Sequence, residues 1–154
     1  MSTRIEENPA LVEGRPMAIQ VIWDNPEKTI IRYIYDGRWN WEDLTRARDE
    51  VHRMLDTVDY RVGIIVDVQK SSMLPSGALT RARQMATATP KYHKNEGSTV
   101  IVGANTLIRS LFDMFRKIYT TLSGNIVVVF ATSLEEARRI LRNQGMGQPT
   151  QPFS

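Results

Sequence analysis

Residues 62–68 read VGIIVDV, with a single charge among them. A strand with one wet face alternates apolar and polar side chains. A near-continuous β-branched run instead predicts a strand covered on both faces, as between the helices of a parallel sheet. Two more such runs lie downstream, at Thr99–Gly103 and Ile126–Ala131. Helical patterns separate them. Ser76–Thr89 places Leu79, Ala82, Met85 and Ala86 inward and is closed by Pro90, and a second helix is expected over Thr106–Leu122. After the last strand, Ser133-Leu134-Glu135-Glu136 has the pattern of a capping box and opens a helix to about Arg142, ending before Gly145. Arg138, Arg139 and Arg142 crowd its last turns, where cations suit the helix dipole.

Upstream, Ile19–Asp24 and Thr29–Asp36 are β-rich runs joined by Asn25-Pro26-Glu27-Lys28, a turn-forming connection, and predict an antiparallel hairpin. A helix is expected from about Trp41 to Val58. Asn40 has the residue type of its N-cap, Asp43 completes a capping-box variant, and Trp39 and Leu44 can form a hydrophobic staple. Trp41, Leu44, Ala47, Val51, Leu55 and Val58 recur at helical spacing and mark the buried stripe. Glu42, Arg46, Asp49, Glu50 and Arg53 fill the other face. The order β-β-α-β-α-β-α-β-α is that of an α/β protein with a mixed sheet. Right-handed crossovers make the last three strands parallel, and the hairpin supplies an antiparallel edge. Residues 1–18 are expected to be a flexible leader with one short ordered piece, 19–144 a single domain and 145–154 a flexible tail.

The chain has 154 residues, enough for one core. It is 42% hydrophobic and 24% charged, which excludes wholesale disorder. With no cysteine there is no disulfide framework, no thiolate nucleophile and no sulfur-based zinc site. Two histidines, His52 and His93, make a His-rich metal centre unexpected, and His52 reads as a bystander on the flank of its helix. The longest apolar run, Ile126–Ala131, is far short of the ~20 residues that span a bilayer, so no membrane insertion is expected. No signal-like segment opens the chain, and the expected location is cytoplasmic. A net charge of +3 does not argue for nucleic acid. The short cluster Lys91-Tyr92-His93-Lys94, with Arg81 and Arg83 before it, reads as solvated rather than as an anion patch.

Open α/β sheets place their sites beyond the carboxyl ends of the parallel strands. That rim should gather Asp67, the loop Gln69–Ser76 with its hydroxyls Ser71 and Ser72, Asn105, and Thr132-Ser133. Asp67 lies within a buried pattern, so it requires hydrogen-bonding partners or a place near solvent. Ser76 has the residue type of a helix N-cap, where free amides would also stabilise a phosphate on the side chain. Phosphate-binding glycine loops, catalytic triads and paired catalytic carboxylates are not recognisable in the sequence. In the helix over Thr106–Leu122 the apolar arc is about 160° wide, broader than a surface helix needs for its core. Its excess edge, Ile108, Phe112 and Tyr119, is a candidate self-association surface or apolar-ligand wall.

The strand IIVDV (Ile64–Val68), the polar loop after it and the helix start PSGALTRAR resemble the STAS domain of anti-sigma factor antagonists and its lipid-binding-like, CRAL-TRIO-like relatives. The hairpin and helix before them and the terminal SLEEARRIL resemble it too, over roughly Ile19–Arg142. Sigma-regulating STAS proteins carry D-S-S-G at this helix start, and a partner kinase phosphorylates the second serine. Here the stretch is Leu74-Pro75-Ser76-Gly77, with Ser76-Gly77 retained. The resemblance implies a non-enzymatic regulatory module that docks a protein partner or a copy of itself as a homodimer. Its docking surface would include the Gln69–Gly77 loop, with Ser76 as candidate phosphoacceptor and no cofactor. The alternative is a carrier of an apolar or nucleotide-like ligand whose polar end meets Asp67, Asn105 and Arg109.

Overall fold

A computed structural model of the chain describes residues 11–12, 15–16, 18–71, 75–78, 80–81, 84, 93–103, 109 and 128–147. The expected α/β architecture is present. Five strands form one mixed sheet in chain order: β1 (Ile19–Trp23), β2 (Ile30–Asp36), β3 (Val62–Lys70), β4 (Glu96–Val102) and β5 (Val128–Ala131). β1 runs antiparallel to β2, and β2 through β5 are parallel neighbours. Leu11–Val12 and Arg15–Pro16 pair as a separate antiparallel ladder.

The hairpin turn forms as its residues dictate. The Asn25 side chain accepts from Thr29 N at 3.0 Å and Ile30 N at 3.3 Å, and donates to Thr29 Oγ1 at 2.7 Å. Lys28 donates its N–H to the Asn25 carbonyl and adopts a left-handed φ of 60°.

One face of the sheet is covered by α1 (Trp41–Leu55). Asn40 and Asp43 exchange the two hydrogen bonds of a capping box, at 2.8 and 2.9 Å, a feature that stabilises a helix start by roughly 1 kcal/mol. Ala47, Val51 and Leu55 are buried against the sheet, while Glu42, Arg46, Asp49 and Arg53 are exposed. Burying each large side chain in this layer stabilises by about 1.5–3 kcal/mol relative to exposure. The helix stops three residues before the expected Val58. There Asn95, itself buried, donates from Nδ2 to the carbonyls of Leu55 (3.2 Å) and Val58 (2.9 Å), so a side chain replaces the next helical turn.

The opposite face is covered by α2 (Leu134–Asn143), whose Ala137 and Leu141 pack on Ile65, Val100 and Val102. Two strand glycines let it approach. A Cβ at Gly63 would stand 2.9 Å from both Leu141 methyls, and one at Gly97 would overlap Met146 Sδ. Ser133 caps the helix by accepting from Glu136 N, as the capping box predicts. The Glu136 carboxylate instead takes Thr132 N (2.7 Å) and Thr132 Oγ1 (3.1 Å), one residue outside the expected box. The exit is a Schellman turn: Gly145 N donates to Arg142 O, and Met146 N to Leu141 O. Met146 then packs on the core and Gly147 N donates to Arg61 O at 2.7 Å. Residues 145–147, assigned above to the tail, are thus held to the domain by the left-handed Gly145 and the Met146 side chain.

Strand ends also differ from the sequence reading. β3 continues through Gln69 and Lys70, because Asp36 of β2 pairs with Lys70 and Gly37 N donates to Lys70 O. β4 begins at Glu96 rather than Thr99, because Val62 of β3 pairs with Glu96. Of the two expected crossover helices, the described residues 78, 80, 81, 84 and 109 are helical.

Candidate functional site

Because β2 to β5 are parallel, their carboxyl ends share one rim. The order of the strands is also the order of the chain, with no reversal. Among the described residues the strand order therefore shows no topological switch point, where neighbouring connections diverge and leave a crevice.

What stands at the rim is tied down from within. Asp67 is buried, and its Oδ1 accepts from Gln69 N at 3.1 Å and Gln69 Nε2 at 3.0 Å. The stem of Gln69 lies over Gly103, whose φ is +83° and where any Cβ would meet Gln69 Cγ at 2.5 Å. Gln69 thus fills the space between the ends of β3 and β4. Ser71 is buried as well, donating from Oγ to the Gly37 carbonyl at 3.0 Å. Both residues act as the acceptor and donor that a buried loop needs.

Ser76 is exposed. The helix after it starts at Ala78, and Arg81 N donates to the Gly77 carbonyl, so the N-cap is Gly77 rather than Ser76. The reason is conformational: Gly77 holds φ at +71°, which a serine disfavours. The Ser76 carbonyl accepts from Trp41 Nε1 at 3.3 Å, and the Arg81 guanidinium lies 5.9 Å from the same indole ring. Trp41 is one end of a row of rings: Trp39 at 5.3 Å, then Tyr35 at 5.1 Å from Trp39, then Tyr33 at 6.3 Å from Tyr35. Burial pushes both tyrosine hydroxyls up, beyond any physiological titration. The row anchors the Ser76 turn to the core.

Arg109 is exposed and its guanidinium sits 4.6 Å from the Phe130 ring, a cation–π contact. Ser72, Asn105, Ile108, Phe112 and Tyr119 lie outside the described residues, as do Lys91, Tyr92 and Arg83.

Sequence reasoning missed a titratable cluster beneath the end of α1. His93 Nε2 meets Asp56 Oδ1 at 2.7 Å, its Nδ1 accepts from Asn95 N at 3.1 Å, and its ring lies 5.7 Å from that of His52. These bonds hold the His93 ring against the end of α1. Burial, then Arg48 and His93, hold the His52 imidazole below its ordinary pKa, while burial raises the Glu96 carboxyl. Among the described residues, no group of three or more His, Asp or Glu side chains is placed to hold a metal ion, and no helix is long and apolar enough to cross a membrane. A scan against protein-family models finds no match, and a search of curated proteins finds no relative.

Proposed function

We propose that the chain is a STAS-like, non-enzymatic regulatory module that docks a protein partner at the Ser76 turn. The observation carrying this reading is the turn itself: an exposed serine beside a left-handed glycine, pinned through its carbonyl to Trp41 and flanked by Arg81. A surface held this firmly loses little conformational entropy on binding, which favours recognition by a partner. The neighbouring polar groups, Asp67 and Ser71, are engaged inside the loop, which leaves Ser76, Gly77 and Arg81 to face outward. Phosphate on the Ser76 hydroxyl would add up to two negative charges at that contact and so switch it.

Photo-crosslinking tests the reading. A benzophenone side chain in place of Ser76 is expected to give one discrete protein adduct in extracts of cells that make the chain. The same group in place of the exposed Glu135 on α2 is expected to give none. No adduct at Ser76, or the same pattern from both positions, overturns it.

A further inference from the structure

β1 closes one side of the sheet, and among the described residues no strand pairs with its outer edge. Its ladder with β2 alternates. Asp36 N donates to Ala18 O and Asp24 N to Ile30 O, both at 2.8 Å, so residues 18, 20, 22 and 24 turn their backbone groups toward β2. The N–H and C=O groups of Ile19, Val21 and Trp23 therefore face outward, a template for another strand. Beside this edge runs a groove of about 410 Å³, with β1 as one wall and Asp43, Arg46, Ala47, Glu50 and Arg53 of α1 as the other.

The charges on that wall alternate: acid, base, acid, base at residues 43, 46, 50 and 53. About a two-fold axis, this row laid antiparallel on its own copy sets Asp43 against Arg53 and Arg46 against Glu50. Every contact joins opposite charges, and both pairs are centred on residue 48. Paired with its copy about the same axis, β1 is centred on Val21, with Ile19 opposite Trp23. The two centres coincide in the fold. Val21 packs in one apolar cluster with Ala47 and in the next with Val51. Their lengths agree too: residues 43–53 of a helix span about 15 Å, and residues 19–23 of a strand about 14 Å.

We propose that β1 and the charged flank of α1 form a two-fold self-association surface, in which the two sheets join edge to edge and the two α1 helices lie antiparallel. A palindromic charge row centred on the same point as an open strand edge fits a second copy of this chain better than an unrelated partner. The strand ladder supplies affinity. The charge row sets direction and register: Arg46 and Arg53 are exposed, Asp43 and Glu50 are half-buried, and the four already form the local pairs Arg46–Asp43 and Arg53–Glu50. This surface is separate from the Ser76 turn and does not rest on its role.

Sedimentation equilibrium of the full chain, with amide exchange followed by NMR, tests it. The wild type is expected to be a dimer with slow exchange at the Ile19, Val21 and Trp23 amides. Arg46→Glu and Glu50→Arg each place like charges across the axis and are expected to weaken the dimer about tenfold. The double variant R46E/E50R, and an equimolar mixture of the two single variants, are expected to restore it, which a misfolded chain would not do. A wild type that stays monomeric overturns the proposal. If its edge amides are nonetheless protected, the edge belongs to the chain's own N-terminal residues. A dimer indifferent to both single variants, or one with rapidly exchanging edge amides, overturns it equally.

Discussion

Arg138 of α2 grips Asp24 at the end of β1 with two hydrogen bonds, Nε to Oδ2 at 2.7 Å and Nη2 to Oδ1 at 2.9 Å, across 114 positions of sequence. Arg32 Nη1 reaches the same carboxylate at 3.4 Å, and the Asp24 side chain is only 1% exposed. A buried carboxylate between two guanidinium groups is stable only while both remain. The Asp24 contact also raises the Arg138 pKa. Arg138→Leu is expected to destabilise the fold by about 2 kcal/mol, less than the roughly 3–5 kcal/mol of a fully buried pair because Arg138 is itself 38% exposed. Urea unfolding monitored by circular dichroism checks it; a loss under roughly 0.5 kcal/mol, the size of an ordinary surface substitution, would sink the claim.

Gly97→Ala is expected to cost about 1–3 kcal/mol, since its methyl would overlap Met146 Sδ and stand 3.0 Å from the Val62 carbonyl. Combining it with Met146→Ala removes the flexible obstacle but not the backbone one. The double variant should therefore lose less than the sum of the two single losses, and a thermal-melt double-mutant cycle reads that difference. Strict additivity would mean that Met146 does not occupy the site.

Asn95→Ala is expected to destabilise by about 1–3 kcal/mol, because the carbonyls of Leu55 and Val58 each lose a donor where α1 ends. The loss should concentrate in the last turn of α1, visible as faster amide exchange at Asp56 and Thr57 than in the first turn. Uniform exchange along α1 would argue against the capping role.

The titratable cluster makes two pH predictions of opposite sign. His52 has a lowered pKa in the fold, so its contribution to stability is present above about 6.5 and is lost as the pH falls below that value. His52→Gln should flatten the acid-side decline of melting temperature. Glu96 has a raised pKa, so its contribution is full below about 4.5 and is lost as the pH rises through the folded value. Glu96→Gln should therefore stabilise at pH 7 to 8, with the advantage shrinking toward pH 4.5. Melting curves across that range that move in the other direction would contradict either assignment.

The parts legible in the sequence are local ones. The run at 62–68, the Asn25 turn, and the box of Asn40 and Asp43 are decided by neighbours within a few residues, so pattern and residue type were enough. The opening residues of β4 are not legible: Glu96-Gly97-Ser98 is a poor strand by propensity, and only pairing with Val62 and the approach of Met146 make it one. Gln69 reads as a loop residue, yet it fills the gap above Gly103, a fit visible only once β3 and β4 are side by side. The cluster of Asp24, Arg32 and Arg138 had no local signal at all. Ser76 reads as a cap by residue type, but it is exposed and the cap belongs to Gly77.

The central claim is that the rim acts by presenting a surface, its inner polar groups being engaged within the chain. Native mass spectrometry of the protein as purified tests this most directly. The account predicts the bare mass of the chain or of its dimer, unchanged in Asp67→Asn. A copurifying small molecule at one per chain in the wild type, lost in Asp67→Asn, would contradict it and assign the rim to ligand carriage.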